Sequence, residues 1–118
     1  MLAANYDFSV EQSATFKFNL QLTDNSGSAV DITGWEFVGN IKETPNVANP
    51  PVATFTIDVL DVPSALVEVT LPASEADKLI KTRYVYDIIA KNNTVVPMEV
   101  YRLLEGKITV DLAVTGLS

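Results

Sequence analysis

The chain contains no cysteine and no histidine. Without cysteine there is no disulfide framework, no thiolate zinc site and no sulfur nucleophile. Without histidine the commonest general base, the commonest metal ligand and the usual switch near neutral pH are missing. Basic residues are also scarce, 8 against 15 acidic ones, for a formal net charge of −7. Phosphate backbones are held by clustered Lys and Arg. Here the cations are scattered, with only Lys78, Lys81 and Arg83 close together. Nucleic acid and anionic membrane surfaces are therefore not expected partners. No run approaches the roughly 20 apolar residues needed to span a bilayer. The start, Met1 to Asp7, has no basic region and no long apolar stretch, so it does not read as a signal peptide. Soluble, cytoplasmic synthesis is the expectation, and Asn92-Asn93-Thr94 carries no weight as a glycosylation sequon.

Glycine-rich phosphate loops, nucleophile elbows and zinc-ligand spacings are absent as well. Fifteen acids guarantee carboxylate pairs somewhere, so a pair alone does not suggest glycoside hydrolysis. No catalytic residue, cofactor, metal ligand or small-molecule substrate is expected. The acids are uneven: residues 1–60 hold seven against two bases, and residues 61–118 hold eight against six. This is expected to be a solvated face.

What the chain does have is alternation. Its 118 residues fit a single domain, 1–118, with 47% apolar residues for a core. Ala14, Phe16, Phe18, Leu20 and Leu22 alternate with Thr15, Lys17, Asn19 and Gln21, which predicts a strand with one wet face. Trp35, Phe37, Gly39 and Ile41 define a second strand, with Glu36, Val38, Asn40 and Lys42 on its other face. Three prolines within residues 44–51 make a loop. Ala53, Phe55, Ile57 and Val59 are expected inward on the third strand, and Ala65, Val67, Val69 and Leu71 on the fourth. Ser74 is placed to cap a helix of about seven residues, with Ala76, Leu79 and Ile80 on its apolar side. Tyr84, Tyr86, Ile88 and Ala90 face inward on the fifth strand. After a turn at residues 91–94, Leu104, Ile108, Val110 and Leu112 alternate in the last, with a bulge or bend expected at Gly106 and the tail from Ala113 either loose or docked. The expected fold is all-β: an antiparallel β-sandwich, Ig-like, of about seven strands with one short helix. A partly open barrel is the alternative.

Three blocks carry a resemblance. They are Glu11-Gln12-Ser13-Ala14-Thr15-Phe16 with Asp31-Ile32-Thr33-Gly34-Trp35; Arg83-Tyr84-Val85-Tyr86-Asp87-Ile88; and Tyr101 to Val110. In this order they resemble a small β-sandwich module of tailed-bacteriophage structural proteins, similar to the N-terminal domains of baseplate upper proteins. The likeness spans nearly the whole chain apart from residues 44–51. Ser13 and Thr82 stand where the family usually has Gly. The resemblance implies a virion component of the neck, tail or baseplate, without catalysis, whose partners are other virion proteins and copies of itself.

Several residues read structurally. Asp31 and Thr33 suit an Asx-type turn, and Asp24-Asn25-Ser26-Gly27 lacks the acids of a calcium loop. Asp87 and Arg102 are expected to pair across neighbouring strands, with Glu105 nearby. Phe16, Phe18, Trp35, Phe37 and Phe55 fall on inward phases. Tyr6, Tyr84, Tyr86 and Tyr101 are open between packing and an exposed row that would bind sugar.

Apolar residues on phases that should be wet are the remaining signal. Val38, Leu66, Val85 and Ile89 fall opposite the core face, and Val95, Val96 and Met98 lie near Pro97. Contiguous apolar patches mark interfaces, so these seven are the candidate contact residues; the alternative is that the helix or a loop covers them. The expected function is a non-enzymatic structural protein of a tailed-phage virion. The alternative is a carbohydrate- or receptor-binding β-sandwich module.

Overall fold

The computed structural model describes residues 4–46 and 48–115. The end of the tail and the first three residues, and with them the expectations placed there, lie outside the described residues. Eight strands and one helical turn follow in order: β1 (Ala4–Asn5), β2 (Phe8–Glu11), β3 (Phe16–Gln21), β4 (Trp35–Lys42), β5 (Ala53–Asp61), β6 (Leu66–Leu71), α1 (Ala73–Ala76), β7 (Arg83–Asn92) and β8 (Glu99–Asp111).

They form one mixed, curled sheet in the order β1-β8-β7-β4-β5-β6-β3, with β2 also on β8. Strand β5 makes the curl. Its first residues pair with β4, Phe55 facing Gly39, and from Thr56 onward it pairs with β6. Alternation then points side chains from both halves into one core. Val67, Val69, Leu71, Ile41 and Ile88 are fully buried there. Rings cross between the halves: Phe8 of β2 stacks on Phe16 of β3 with centroids 5.0 Å apart. Every buried side-chain polar atom among the described residues has a hydrogen-bond partner.

The all-β expectation is met, and the wholly antiparallel one is corrected. Strands β1 and β2 run parallel to β8, Ala4 facing Leu104 and Phe8 facing Ile108. Together they form an N-terminal strap. Within it Val10 is buried, 3% exposed, while Tyr6 is exposed.

Four local expectations also change. Helix α1 is one turn, begun by Pro72 rather than capped by Ser74. Pro72 sits at φ −62° with no side-chain cap, and its carbonyl accepts from Glu75 and Ala76 N–H. Because the helix stops at Ala76, Leu79 turns inward but Ile80 is 70% exposed. Val59 is exposed although it keeps register opposite buried Val67; the β5–β6 register shifts just beyond it, between Val59 and Asp61. Leu112 is exposed because β8 ends one residue before it.

The bulge in β8 lies at Leu103, not at Gly106. Ile88 faces Leu104 while Ile89 faces Arg102, so Leu103 is the extra residue. Leu103 and Leu104 are consequently both buried. Gly106 instead makes room for the strap. A Cβ there would collide with the backbone carbonyl of Tyr6 and lie 2.8 Å from an Asp7 carboxylate oxygen. Only the missing side chain lets the strap lie this close.

Candidate functional site

The outer face of β4, β7 and β8 holds a depression of about 580 Å³. Alternation puts its floor there: Asn40 from β4, Val85, Asp87 and Ile89 from β7, and Arg102, Glu105 and Lys107 from β8. The strap supplies one wall through Asn5 and Asp7. The β4–β5 loop supplies the other through Pro45 and Asn46.

Both walls are tied down. The Tyr86 hydroxyl donates to the Tyr6 carbonyl at 2.5 Å, and Lys107 N–H donates to Asp7 Oδ1 at 2.8 Å. Tyr6 N–H donates to the Glu105 carbonyl at 2.9 Å. On the other side Lys42 Nζ donates to the Asn46 carbonyl at 3.0 Å. Burial, with the nearby Asp7 charge, pushes the Tyr86 hydroxyl far above the usual tyrosine range, so it remains a donor at any physiological pH.

The charge pattern follows from the bulge. In register, Asp87 lies directly opposite Glu105, an unfavourable pair. The extra residue at Leu103 turns Arg102 onto the same face. Its Nε lies 3.6 Å from Asp87 and its Nη1 3.5 Å from Glu105. The expected Asp87–Arg102 pair with Glu105 nearby is present. Its members are substantially exposed, so it fixes register and contributes at most about 1 kcal/mol.

Three cations (Lys42, Arg102, Lys107) and three carboxylates (Asp7, Asp87, Glu105) line the depression. The excess of seven negative charges therefore lies elsewhere on the chain. The depression carries no net charge, and Val85 and Ile89 are the apolar residues of its floor.

Acid–base chemistry finds no support in the shifted groups. Asp24 is held below its usual range by the Ser26 hydroxyl and neighbouring backbone N–H groups, and Asp31 by Thr33. Glu75 is lowered chiefly by Lys78, whose ammonium is 2.6 Å away. Tyr101 is raised by its hydrogen bond to Glu99. Each moves away from neutrality, opposite to the tuning a general acid or base needs. Asp24 and Asp31 cap their own turns, Asp31 Oδ1 accepting from Thr33 N–H at 3.1 Å. Among the described residues no three metal-ligating side chains cluster, and no helix is long and apolar enough to cross a membrane.

The seven candidate contact residues fall in three places. Val38, Val85 and Ile89 share the outer face just described, Val38 directly opposite Ile89. Leu66 lies on the outer face of the β5–β6–β3 half, beside fully buried Val67. Val95, Val96 and Met98 sit in the β7–β8 connection and are exposed, Val96 at 98%. The strap residues Asn5 and Asp7 were missed by sequence reasoning, since two-residue β1 has no period to detect.

A second, smaller depression of about 290 Å³ is lined by Thr23, Asp24, Asn25, Val30, Trp35 and Tyr101. The Trp35 and Tyr101 rings stack at 5.4 Å with 27° between planes. The tyrosines do not form an exposed row: Tyr84 and Tyr86 are buried, and Tyr6 is exposed on the strap.

No protein-family model matches the chain, and no curated protein matches it in sequence.

Proposed function

We propose that the protein is a non-enzymatic structural component of a tailed-phage virion, acting at the neck, tail or baseplate by packing against other virion proteins and copies of itself. The three sequence blocks that resemble phage β-sandwich modules supply the virion reading. The charge-balanced depression over Val85 and Ile89 is the observation that supports a docking role. In the same proposal the curled sheet is an Ig-like sandwich of antiparallel strands with a parallel strap added. Its two packed halves and Greek-key-like return of β3 beside β6 fit that description. Symmetric assemblies set many copies side by side, so each contact can be modest. Assembly in the virion follows synthesis in the host cytoplasm.

The test is incorporation. The wild-type chain and an Ile89→Asp variant are produced alongside the particle's other proteins, and purified particles are weighed for the chain by quantitative mass spectrometry. The reading expects wild-type in fixed stoichiometry and the variant lost at least tenfold. Absence of the wild-type chain from particles overturns it.

One observation favours a second reading, a carbohydrate- or receptor-binding module. The Trp35–Tyr101 pair beside Asp24 and Asn25 places aromatic faces next to hydrogen-bonding groups. That reading expects glycan binding that is lost in Trp35→Ala and unaffected by Ile89→Asp.

A further inference from the structure

The β3–β4 loop folds back on itself at the end of the sheet where β4 and β8 begin. Thr23 bridges Ala29, Val30 N–H donates to the Leu22 carbonyl at 3.0 Å, and Gly27 turns the chain at φ 84°. This small hairpin fixes Asp24. Its Oδ1 accepts from Ser26 N–H at 2.9 Å, from the Ser26 hydroxyl at 2.6 Å and from Ser28 N–H at 3.0 Å. No donor among the described residues bonds Oδ2. The Ser26 hydroxyl and the backbone N–H groups hold the carboxyl below its usual range, so it is anionic at neutral pH.

The carboxylate shares its depression with the Trp35 and Tyr101 rings. Alternation puts those two residues on one face of the sheet, and Glu99, two residues before Tyr101, on the same face. The Tyr101 hydroxyl donates to the Glu99 carboxylate. An aromatic face is negative, and a phenol bound to a carboxylate is more so. The two formal charges beside the rings are therefore both negative. Lys91 and Arg102, the cations of these strand segments, lie on the opposite face: Lys91 beside Glu36, and Arg102 with Asp87 and Glu105. Among the described residues neither Asp24 nor Glu99 joins an ion pair.

We infer that this depression binds a guanidinium group, the side chain of an arginine on a partner protein, stacked on the ring pair with one N–H on Asp24 Oδ2. Charge and shape select that guest. A guanidinium is planar, lies flat on indole and phenol faces, and sheds water at lower cost than an ammonium. Its other N–H groups meet acceptors on the Thr23 and Asn25 side chains. The three bonds on Oδ1 already order Asp24, so binding need not. A neutral sugar, the guest of the second reading, would use the rings and leave the negative charge unanswered. The site lies apart from the β4–β7–β8 outer face, so its failure would leave incorporation through that face untouched.

Trp35 is the only tryptophan, so its indole N–H gives one isolated NMR resonance. The full chain, isotopically labelled, is titrated at constant ionic strength with arginine blocked at both ends. Blocked citrulline, which has nearly the same shape and no charge, is the comparison. Arginine should move the indole resonance saturably with a midpoint below about 100 mM, and citrulline should bind about fivefold more weakly or worse. Asp24→Asn keeps a side-chain oxygen for the turn. It should weaken arginine binding about fivefold and leave citrulline unchanged. Tyr101→Leu should weaken both, and Asp58→Asn, an exposed acid on β5, should weaken neither. Equal binding of arginine and citrulline, no effect of Asp24→Asn, or no saturable shift overturns the inference. So does saturation by methyl glucoside where arginine fails, which would assign the rings to a sugar.

Discussion

Gly106→Ala tests whether the strap is seated as the backbone requires. The new Cβ would overlap the Tyr6 carbonyl oxygen and approach Asp7 Oδ1 to 2.8 Å. Neither β8 nor the strap can yield without loss, because the obstacle is main chain. If the strap lifts, three hydrogen bonds weaken together: Tyr86 to the Tyr6 carbonyl, Lys107 N–H to Asp7, and Tyr6 N–H to the Glu105 carbonyl. At about 1 kcal/mol each, the loss is about 3 kcal/mol. Replacing glycine returns up to about 1 kcal/mol by restricting the unfolded chain. The net cost is about 2 kcal/mol. Unfolding entropy near 2.1 cal/mol/K per residue converts this, for 118 residues, to a fall of about 8 °C in midpoint. Calorimetry gives the midpoint, and hydrogen exchange at the Lys107 amide reports the strap directly. An unchanged midpoint with Lys107 still protected would refute the reasoning, because the strap could not then lie against Gly106.

Three further outcomes follow from named contacts. Ser13 has φ 66°, a left-handed conformation, and its hydroxyl donates to Asp77 at 2.5 Å. Ser13→Ala should cost about 1 kcal/mol by removing the bond and keeping the strain. Ser13→Gly should be within about 0.5 kcal/mol of wild type, since relief of roughly 1 kcal/mol of strain offsets the lost bond; urea midpoints compare the two. Asp24, Asp31 and Glu75 have lowered folded-state pKa values, so their contribution is fully present above the unfolded carboxylate range and is lost as pH falls through it, from about 4 downward. Urea midpoints should drop over that window and the drop should shrink in Glu75→Gln; a flat profile from pH 7 to about 2.5 contradicts the assignment. Arg102→Ala should destabilise by at most about 1 kcal/mol, with Asp87 and Glu105 then facing each other unneutralised, and the loss should diminish in high salt.

Much of the fold is legible in the alternation. Val67, Val69 and Leu71, or Tyr84, Tyr86, Ile88 and Ala90, face inward as period two demands. The exceptions occur where a second constraint breaks the period. The bulge at Leu103 reverses the phase of β8, and the only sequence trace is two adjacent leucines. Ile80 obeys helical spacing on paper, but Pro72 sets a helix too short to use it. Ser13 takes the left-handed conformation that glycine adopts more readily, which no periodicity in the sequence signals. The site was legible in part. Val38, Val85 and Ile89 stand out as apolar residues on a wet phase, and Asp87 with Arg102 as a cross-strand pair. The depression itself was not, because its walls come from a strap parallel to β8 and from the β4–β5 loop. The strap's placement depends on contacts about 100 residues apart in sequence, such as Asp7 with Lys107.

The docking role proposed for the β4–β7–β8 outer face is tested most directly by comparing Ile89→Asp with wild type in assembled particles. Ile89 is half-buried on the surface and outside the core, so the variant should stay folded, with an unchanged circular dichroism spectrum. The account predicts a folded variant lost at least tenfold from particles that retain wild type in fixed stoichiometry. A folded Ile89→Asp chain present at wild-type stoichiometry would contradict it.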